Sequence, residues 1–194
     1  MNLPNKLTVS RFVFAGVFLV TMFWRSPWHD TLALILFSVA SFTDYLDGKI
    51  ARSRKLITNF GVLMDPLADK ILTCAAFIAL VERDHMNPHV DAWMAIIIVS
   101  RELAITGLRL LAASRQLVLS AERYGKHKTI SQIAAIIALL VMDAYREWWP
   151  WLYGFFSPWT PLFALVALWL TVLLTATSGV LYLWRNRSLY LSEV

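Results

Sequence analysis

The chain has 194 residues, 58% of them hydrophobic, with a mean hydropathy of +0.58, a formal net charge of +5 and a pI near 9.6. At about 20 residues per crossing, that length and apolar share give about six membrane spans with short connections and exclude a large soluble domain. In a soluble protein the basic balance would raise nucleic acid as a partner. Here it reads as basic loops facing anionic lipid headgroups or a phosphorylated substrate, and no nucleic-acid partner is expected.

The chain begins with the polar stretch MNLPNKLTVSR, which carries no small-residue cleavage site and is expected to stay on. Within it Asn2, Pro4 and Asn5 suit the start of a short helix lying on the membrane surface. Six apolar segments follow, at about Val9 to Phe23, Thr31 to Ile50, Gly61 to Val81, Ala92 to Ala113, Thr129 to Tyr145 and Pro161 to Trp184. The fold class expected is therefore an all-α integral membrane protein with six transmembrane helices and a short N-terminal surface helix, forming one domain over residues 1–194. Pro66 is expected to interrupt the third span, and Cys74, the lone cysteine, to be a buried small hydrophobe with no disulfide partner.

Orientation follows from the basic residues. Of the 18 lysines and arginines, Arg25, Arg83 and Arg146 fall on one side, Lys70 and Arg101 lie within spans, and the remaining thirteen fall on the other side. The positive-inside bias puts that basic side, with both termini, in the cytoplasm. On the outer side Tyr145, Trp148, Trp149, Trp151 and Tyr153 form an aromatic cluster suited to the headgroup zone, and Asp143 and Glu147 are expected at the interface.

The most informative stretch joins the second and third spans. It reads D-x-x-D-G-x-x-A-R-x8-G-x-x-x-D-x-x-x-D, from Asp44, Asp47, Gly48, Ala51 and Arg52 to Gly61, Asp65 and Asp69. On a helix Asp44, Asp47, Gly48 and Ala51 share a face, and so do Asp65 and Asp69. Charge at such a depth costs about 2.5 kcal/mol or more per residue, and four convergent carboxylates repel one another. Divalent cations relieve that repulsion, and an oxygen-only ligand set suits Mg²⁺, or Mn²⁺ in its place. Four carboxylates suffice for two ions about 3.5–4 Å apart, the arrangement used in phosphoryl displacement. The small Gly48 and Ala51 let a bulky group lie against the helix, and Arg52 and Lys49 can pair with phosphates.

Every fixed position of this pattern resembles the signature of the CDP-alcohol phosphotransferases, a family of six-helix membrane enzymes that are commonly homodimers. The resemblance extends to the six-span layout. It implies transfer of a phosphoryl-linked lipid from a CDP-alcohol such as CDP-diacylglycerol to an acceptor hydroxyl, with release of CMP. It further implies that Asp44, Asp47, Asp65 and Asp69 hold two metal ions and that Asp69 takes the hydroxyl proton. Thr8, Gly48, Ala51, Arg52 and Gly61 would lie against the cytidine diphosphate.

Three shorter stretches are similar to the branch of that family whose acceptor is glycerol 3-phosphate. They are P-N-x-x-T-x-x-R with Asn5, Thr8 and Arg11; S-R-E at Ser100 to Glu102 followed by T-G-L-R at Thr106 to Arg109; and G-K-x-K-T at Gly125 to Thr129, with Gln132 beyond. Glycerol 3-phosphate is a small dianion that needs a basic pocket. Arg101, inside the fourth span, needs a partner or a ligand, and Arg109 lies about two turns on, near the same face. With Lys126 and Lys128 at the entry to the fifth span they form the expected acceptor-phosphate site. A homodimer in a bacterial inner membrane, with the site facing the cytoplasm and surrounded by membrane lipid, completes the expectation. Other acceptors (phosphatidylglycerol, serine, an inositol compound) remain open within the family. Outside it stand an intramembrane prenyltransferase, whose two aspartate motifs usually lie far apart and not within the 26 residues from Asp44 to Asp69, and a cation transporter, which would need repeated, broken helices that this sequence does not show.

Overall fold

The computed structural model describes the backbone of residues 3–24, 26–54, 59–83, 85, 87–114 and 124–187. It describes the side chains of residues 9–24, 26–43, 67–68, 70–83, 85, 87–114 and 128–187. Among these residues the regular structure is helical: α1 Leu3–Phe23, α2 His29–Arg54, α3 Asn59–Val81, α4 Ala92–Ser114, α5 Tyr124–Ala144, a 3₁₀ turn Tyr145–Glu147, α6 Pro150–Phe156 and α7 Thr160–Arg185. The six long helices cover the six expected segments. Pro4 and Asn5, expected at the start of a separate surface helix, lie in the first turn of α1, which runs from Leu3 to Phe23 without a break, and Asn2 lies outside the described residues. α3 likewise continues through Pro66, which removes a single i→i−4 bond that neighbouring helices compensate in a bundle.

The long helices close into a ring. α1 packs on α2 and α3, α2 on α5, α5 on α7, α7 on α4 and α4 on α3, while α3 and α5 touch across the middle. Alanines sit at these contacts: Ala15, Ala33, Ala76, Ala79, Ala135, Ala138 and Ala164 are buried and let backbones approach closely. Phe18, Phe37, Phe77, Leu80, Ile98, Ile136, Leu139 and Leu168 fill the space between, and the Phe18 and Phe37 rings meet at 5.7 Å.

Polarity is arranged inside out. Large apolar side chains face outward at helical spacing, as Val9, Val13, Val17 and Val20 on α1 and Leu32, Ile35, Val39 and Phe42 on α2. α7 exposes Leu162, Phe163, Val166, Leu170, Leu173, Val180 and Leu181. Thr106, Glu102, Lys128, Gln132, Thr171 and Thr175 are buried instead. An apolar exterior of this extent is a surface for hydrocarbon, not water. Among the described residues Lys128–Glu147 and Thr160–Arg185 are long and apolar enough to cross a bilayer by length and composition. The apolar stretches Val9–Phe23, His29–Thr43 and Lys70–Val81 are shorter.

The end of the bundle away from the aspartate motif is tied by charge. Arg83 donates to the Met22 carbonyl at 2.8 Å and pairs with Asp30 at 2.8 Å and Asp143 at 3.5 Å, so one side chain links α1, α2 and α5. Glu147 closes the start of α2: its carboxylate accepts the backbone N–H groups of Asp30 and Thr31 at 3.0 and 2.9 Å and the Thr31 hydroxyl at 2.6 Å. Asp143 and Glu147, expected at the interface, both engage donors of the bundle, and Asp143 is 2% exposed. The aromatic cluster divides in the same way. Trp148 donates to Thr31 Oγ1 and stacks edge-on against Phe156, and Tyr145 is buried, whereas Trp149, Trp151 and Tyr153 are exposed where headgroups would lie. Cys74 is free and half-buried. Arg83→Ala would leave Asp143 and Asp30 without their shared cation. It is expected to lower stability by about 3 kcal/mol, read by thermal unfolding of the purified protein in detergent; an unchanged midpoint would refute this role.

Candidate active site

The four motif aspartates lie on regular helix, Asp44 and Asp47 on α2 and Asp65 and Asp69 on α3. Gly48, Ala51 and Arg52 are on α2, Gly61 on α3, Thr8 on α1 and Lys126 on α5. The side chains of these ten residues lie outside the described set, as do Arg115 and Arg123 altogether. Their helical register is nevertheless informative, because a cleft partly open to solvent lies beside them.

α2 lines this cleft with Ala40, Ser41 and Thr43, and α3 with Ala68, Lys70, Leu72 and Thr73. Asp44 is three and four residues beyond Ser41 and Ala40, so it occupies the same face one turn on; Asp47 follows Thr43 by four. Asp69 precedes Thr73 by four and Leu72 by three, and Asp65 precedes Ala68 by three. The helix faces that carry all four aspartates are therefore the faces that flank one cleft. Among the described residues α2 and α3 are joined mainly through α1 and α5, which pack on both. α1 contributes Ser10, Arg11 and Phe14 to the cleft, and α5 contributes Thr129, Gln132 and Ile133.

The cleft carries hydroxyls at Ser10, Ser41, Thr43, Thr73 and Thr129, and oxygen donors of this kind, with carboxylates at the register of Asp44, Asp47, Asp65 and Asp69, are the chemistry that suits hard divalent cations. A second group of possible ligands, His29, Asp30 and Glu147, has donor atoms within 4.8 Å of one another. It belongs to the opposite end of α2, about 20 Å from Asp44 at 1.5 Å per residue. Its oxygens are already engaged by Arg83 and by the backbone of α2. It therefore takes no part in the chemistry at the cleft.

Behind the cleft lies a buried polar network. Glu102 on α4 is 2% exposed, and its Oε1 accepts from Lys128 Nζ, from Gln132 Nε2 at 3.1 Å and from Arg101 Nη1 at 3.5 Å. Gln132 is both a partner of Glu102 and a lining residue of the cleft, so the network braces the α5 wall. Lys128 is thereby engaged with Glu102, and Arg101 is shared between Glu102 and Ser178 of α7, whose Oγ accepts from Nη2 at 3.3 Å. Arg109, the other arginine of α4, donates from Nε to the Tyr182 hydroxyl at 3.4 Å and is otherwise exposed. The structure brings Arg101, Lys128 and Gln132 to one carboxylate and sets Arg109 further along α4. Arg11, Lys70 and Gln132 are cleft residues that the motif reading did not assign to the site. Arg11 carried a signal as the last position of P-N-x-x-T-x-x-R, and Lys70 as a cation next to Asp69 inside an apolar segment.

Removing the hub carboxylate would take from the buried Lys128 and the half-buried Arg101 the acid they share. Glu102→Leu is expected to cost about 3–5 kcal/mol, and adding Lys128→Met, which restores an uncharged well-packed pair, should recover most of it. Chemical unfolding of both variants in micelles provides the comparison; a double variant no more stable than the single would contradict the pairing.

Comparison with known proteins agrees with this arrangement. The family model described as CDP-alcohol phosphatidyltransferase matches residues 1–177. The chain is 42% identical to the CDP-diacylglycerol–glycerol-3-phosphate 3-phosphatidyltransferase of Bacillus subtilis (strain 168), covering 95% of each chain. It is 33% identical to the protein of the same name from Rickettsia bellii (strain RML369-C), covering 93% of each. It is also 38% identical to a probable phosphatidylglycerophosphate synthase of Mycobacterium tuberculosis over 70% of this chain and 64% of that one. With a cleft flanked by the helix faces of its D-x-x-D-G-x-x-A-R motif and a match over almost its whole length, the chain belongs to the CDP-alcohol phosphatidyltransferase family.

Proposed function

We propose that the protein transfers the phosphatidyl group of CDP-diacylglycerol to the 1-hydroxyl of sn-glycerol 3-phosphate, giving phosphatidylglycerophosphate and CMP in phosphatidylglycerol biosynthesis. The observation that supports this reading is the cleft: α2 and α3 both line it at the register of the motif aspartates, with the basic network of α4 and α5 behind. The relatives named for this reaction match nearly the whole chain.

The six long helices would cross the membrane, with both termini and the cleft on the cytoplasmic side of a bacterial inner membrane and with two copies forming a dimer. The outward valines and leucines of α1, α2 and α7 suit lipid, so CDP-diacylglycerol can enter sideways with its acyl chains still in the bilayer. Thr8, Gly48, Ala51, Arg52 and Gly61 would hold the cytidine diphosphate, Gly48 and Ala51 by leaving room beside α2. Asp44, Asp47, Asp65 and Asp69 would hold two Mg²⁺ ions, which when bound neutralise the diphosphate and stabilise charge on the attacking and leaving oxygens.

Arg101, Arg109 and Lys126 would bind the acceptor phosphate. Lys128 would contribute positive charge from behind Glu102, its amine being engaged there. That site fixes the acceptor so that its 1-hydroxyl faces the β-phosphorus, and positioning of this kind is worth orders of magnitude. The Asp69 carboxylate would take the hydroxyl proton as the new O–P bond forms. The bond from the β-phosphorus to the bridging oxygen breaks, and that oxygen leaves on CMP. The hydrocarbon-facing exterior and the narrow cleft keep bulk water from competing as acceptor.

Purified protein in mixed micelles should release CMP from CDP-diacylglycerol only when Mg²⁺ and glycerol 3-phosphate are both present, with EDTA abolishing release. Asp69→Ala should lose at least about a hundredfold in kcat with an unchanged unfolding midpoint. Release supported equally by phosphatidylglycerol, serine or inositol phosphate would keep the family and remove this acceptor. Undiminished turnover by Asp69→Ala would remove the assigned base.

A further inference from the structure

α7 carries none of the motif residues, yet it touches both arginines of the expected acceptor site. Gly179 is where the approach is closest. A Cβ added there would lie 2.7 Å from Arg101 Cγ, 3.7 Å from its Cβ and 3.9 Å from its Cδ. The obstructed atom is the second carbon of the arginine stem, not its flexible tip, so the whole side chain would have to swing. Gly16, Gly107 and Gly154 meet nothing within 4 Å of the same position. Among the glycines with described side-chain surroundings, Gly179 is thus the one required by a close approach, at a helix-interior position where alanine would otherwise be favoured.

The residues around it complete a seat. Ser178 Oγ donates to the Thr175 carbonyl at 3.2 Å, which fixes the hydroxyl and leaves its lone pairs for Arg101 Nη2 at 3.3 Å. One turn on, Tyr182 is 3% exposed and wedged against Ile105 and Leu108 of α4. Its hydroxyl accepts from Arg109 Nε at 3.4 Å, and the Arg109 guanidinium carbon lies 5.7 Å from its ring centre. On α4 the two arginines are eight residues apart, about 12 Å along the axis; their contacts on α7 are four residues apart, about 6 Å. α7 therefore holds both arginine side chains through residues one turn apart, Ser178 and Tyr182.

We propose that Ser178, Gly179 and Tyr182 are positioning residues that set the aim of Arg101 and Arg109, and through them the affinity for a small phosphate-bearing acceptor. This rests on the reading that those arginines bind the acceptor phosphate. Because α7 acts only through them, changes here should move recognition of the acceptor and leave that of the lipid donor alone.

The test is steady-state CMP release by the full chain in mixed micelles, varying glycerol 3-phosphate and CDP-diacylglycerol separately. Gly179→Ala is expected to raise KM for glycerol 3-phosphate about tenfold, the loss of one hydrogen bond to a charged group, with kcat and the donor KM within about twofold. In an Arg101→Ala background the same substitution should add nothing, since the side chain it displaces is gone. Tyr182→Phe should raise the acceptor KM about threefold and likewise add nothing to Arg109→Ala. A folded Gly179→Ala with unchanged acceptor KM, or an effect that persists in full without Arg101, would overturn the proposal. If Gly179→Ala does not fold, Tyr182→Phe decides by the same two criteria. Failure of the underlying reading looks different: Arg101→Ala and Arg109→Ala would themselves leave the acceptor KM unchanged, and the proposal would fall with it.

Discussion

Charge buried in a bundle with an apolar exterior has to be matched within the bundle, because neither the lipid outside nor the packed alanines and phenylalanines inside can solvate it. Glu102 is where this constraint acts most strongly. Its carboxylate, 2% exposed, receives Lys128, Gln132 and Arg101. Those three donors come from α4 itself and from α5, and Arg101 in turn reaches α7. The link between α4, α5 and α7 at this end of the bundle and the polar wall of the cleft follow from satisfying one acid.

The opposite end follows the same rule with different residues and no chemistry. Arg83 serves Asp30, Asp143 and the Met22 carbonyl, and Glu147 serves the first amides of α2. This closure holds α1, α2 and α5 together at the end of the bundle away from the cleft. A bundle built in this way places its rigid lock and its polar cleft at opposite ends, and the group His29, Asp30 and Glu147 belongs to the lock despite its ligand-like composition.

Much of the site was legible because helical spacing is a local property. The positions of Asp44, Asp47, Asp65 and Asp69 give a shared face as soon as the segments are helices, and the structure adds that those faces flank one cleft. Arg101 was legible as a charge needing a partner inside an apolar segment. Its partner Glu102 is adjacent in sequence, but Ser178 and the bare backbone of Gly179 are more than seventy residues away and were not legible. Lys128 looked like a ligand for phosphate and turned out to face a carboxylate, because its neighbour across the α4–α5 contact is set by packing and not by spacing. The partners of Asp143 and Trp148 were hidden for the same reason, since Arg83 and Thr31 lie far off in sequence.

The sequence by itself determined the helical class, the apolar exterior, the basic bias of one side and the acidic motif with its family resemblance, all of which depend on composition or on residues within a few turns of one another. Tertiary structure alone decided which helices are neighbours in the ring, that α1 and α5 complete a cleft begun by α2 and α3, that Glu102 is a hub, and that α7 seats both arginines. Hydrophobic periodicity says which face of a helix turns inward; it does not say which helix it will meet, because any apolar face of suitable width satisfies the same demand, and only the joint packing of all six selects one partner for each.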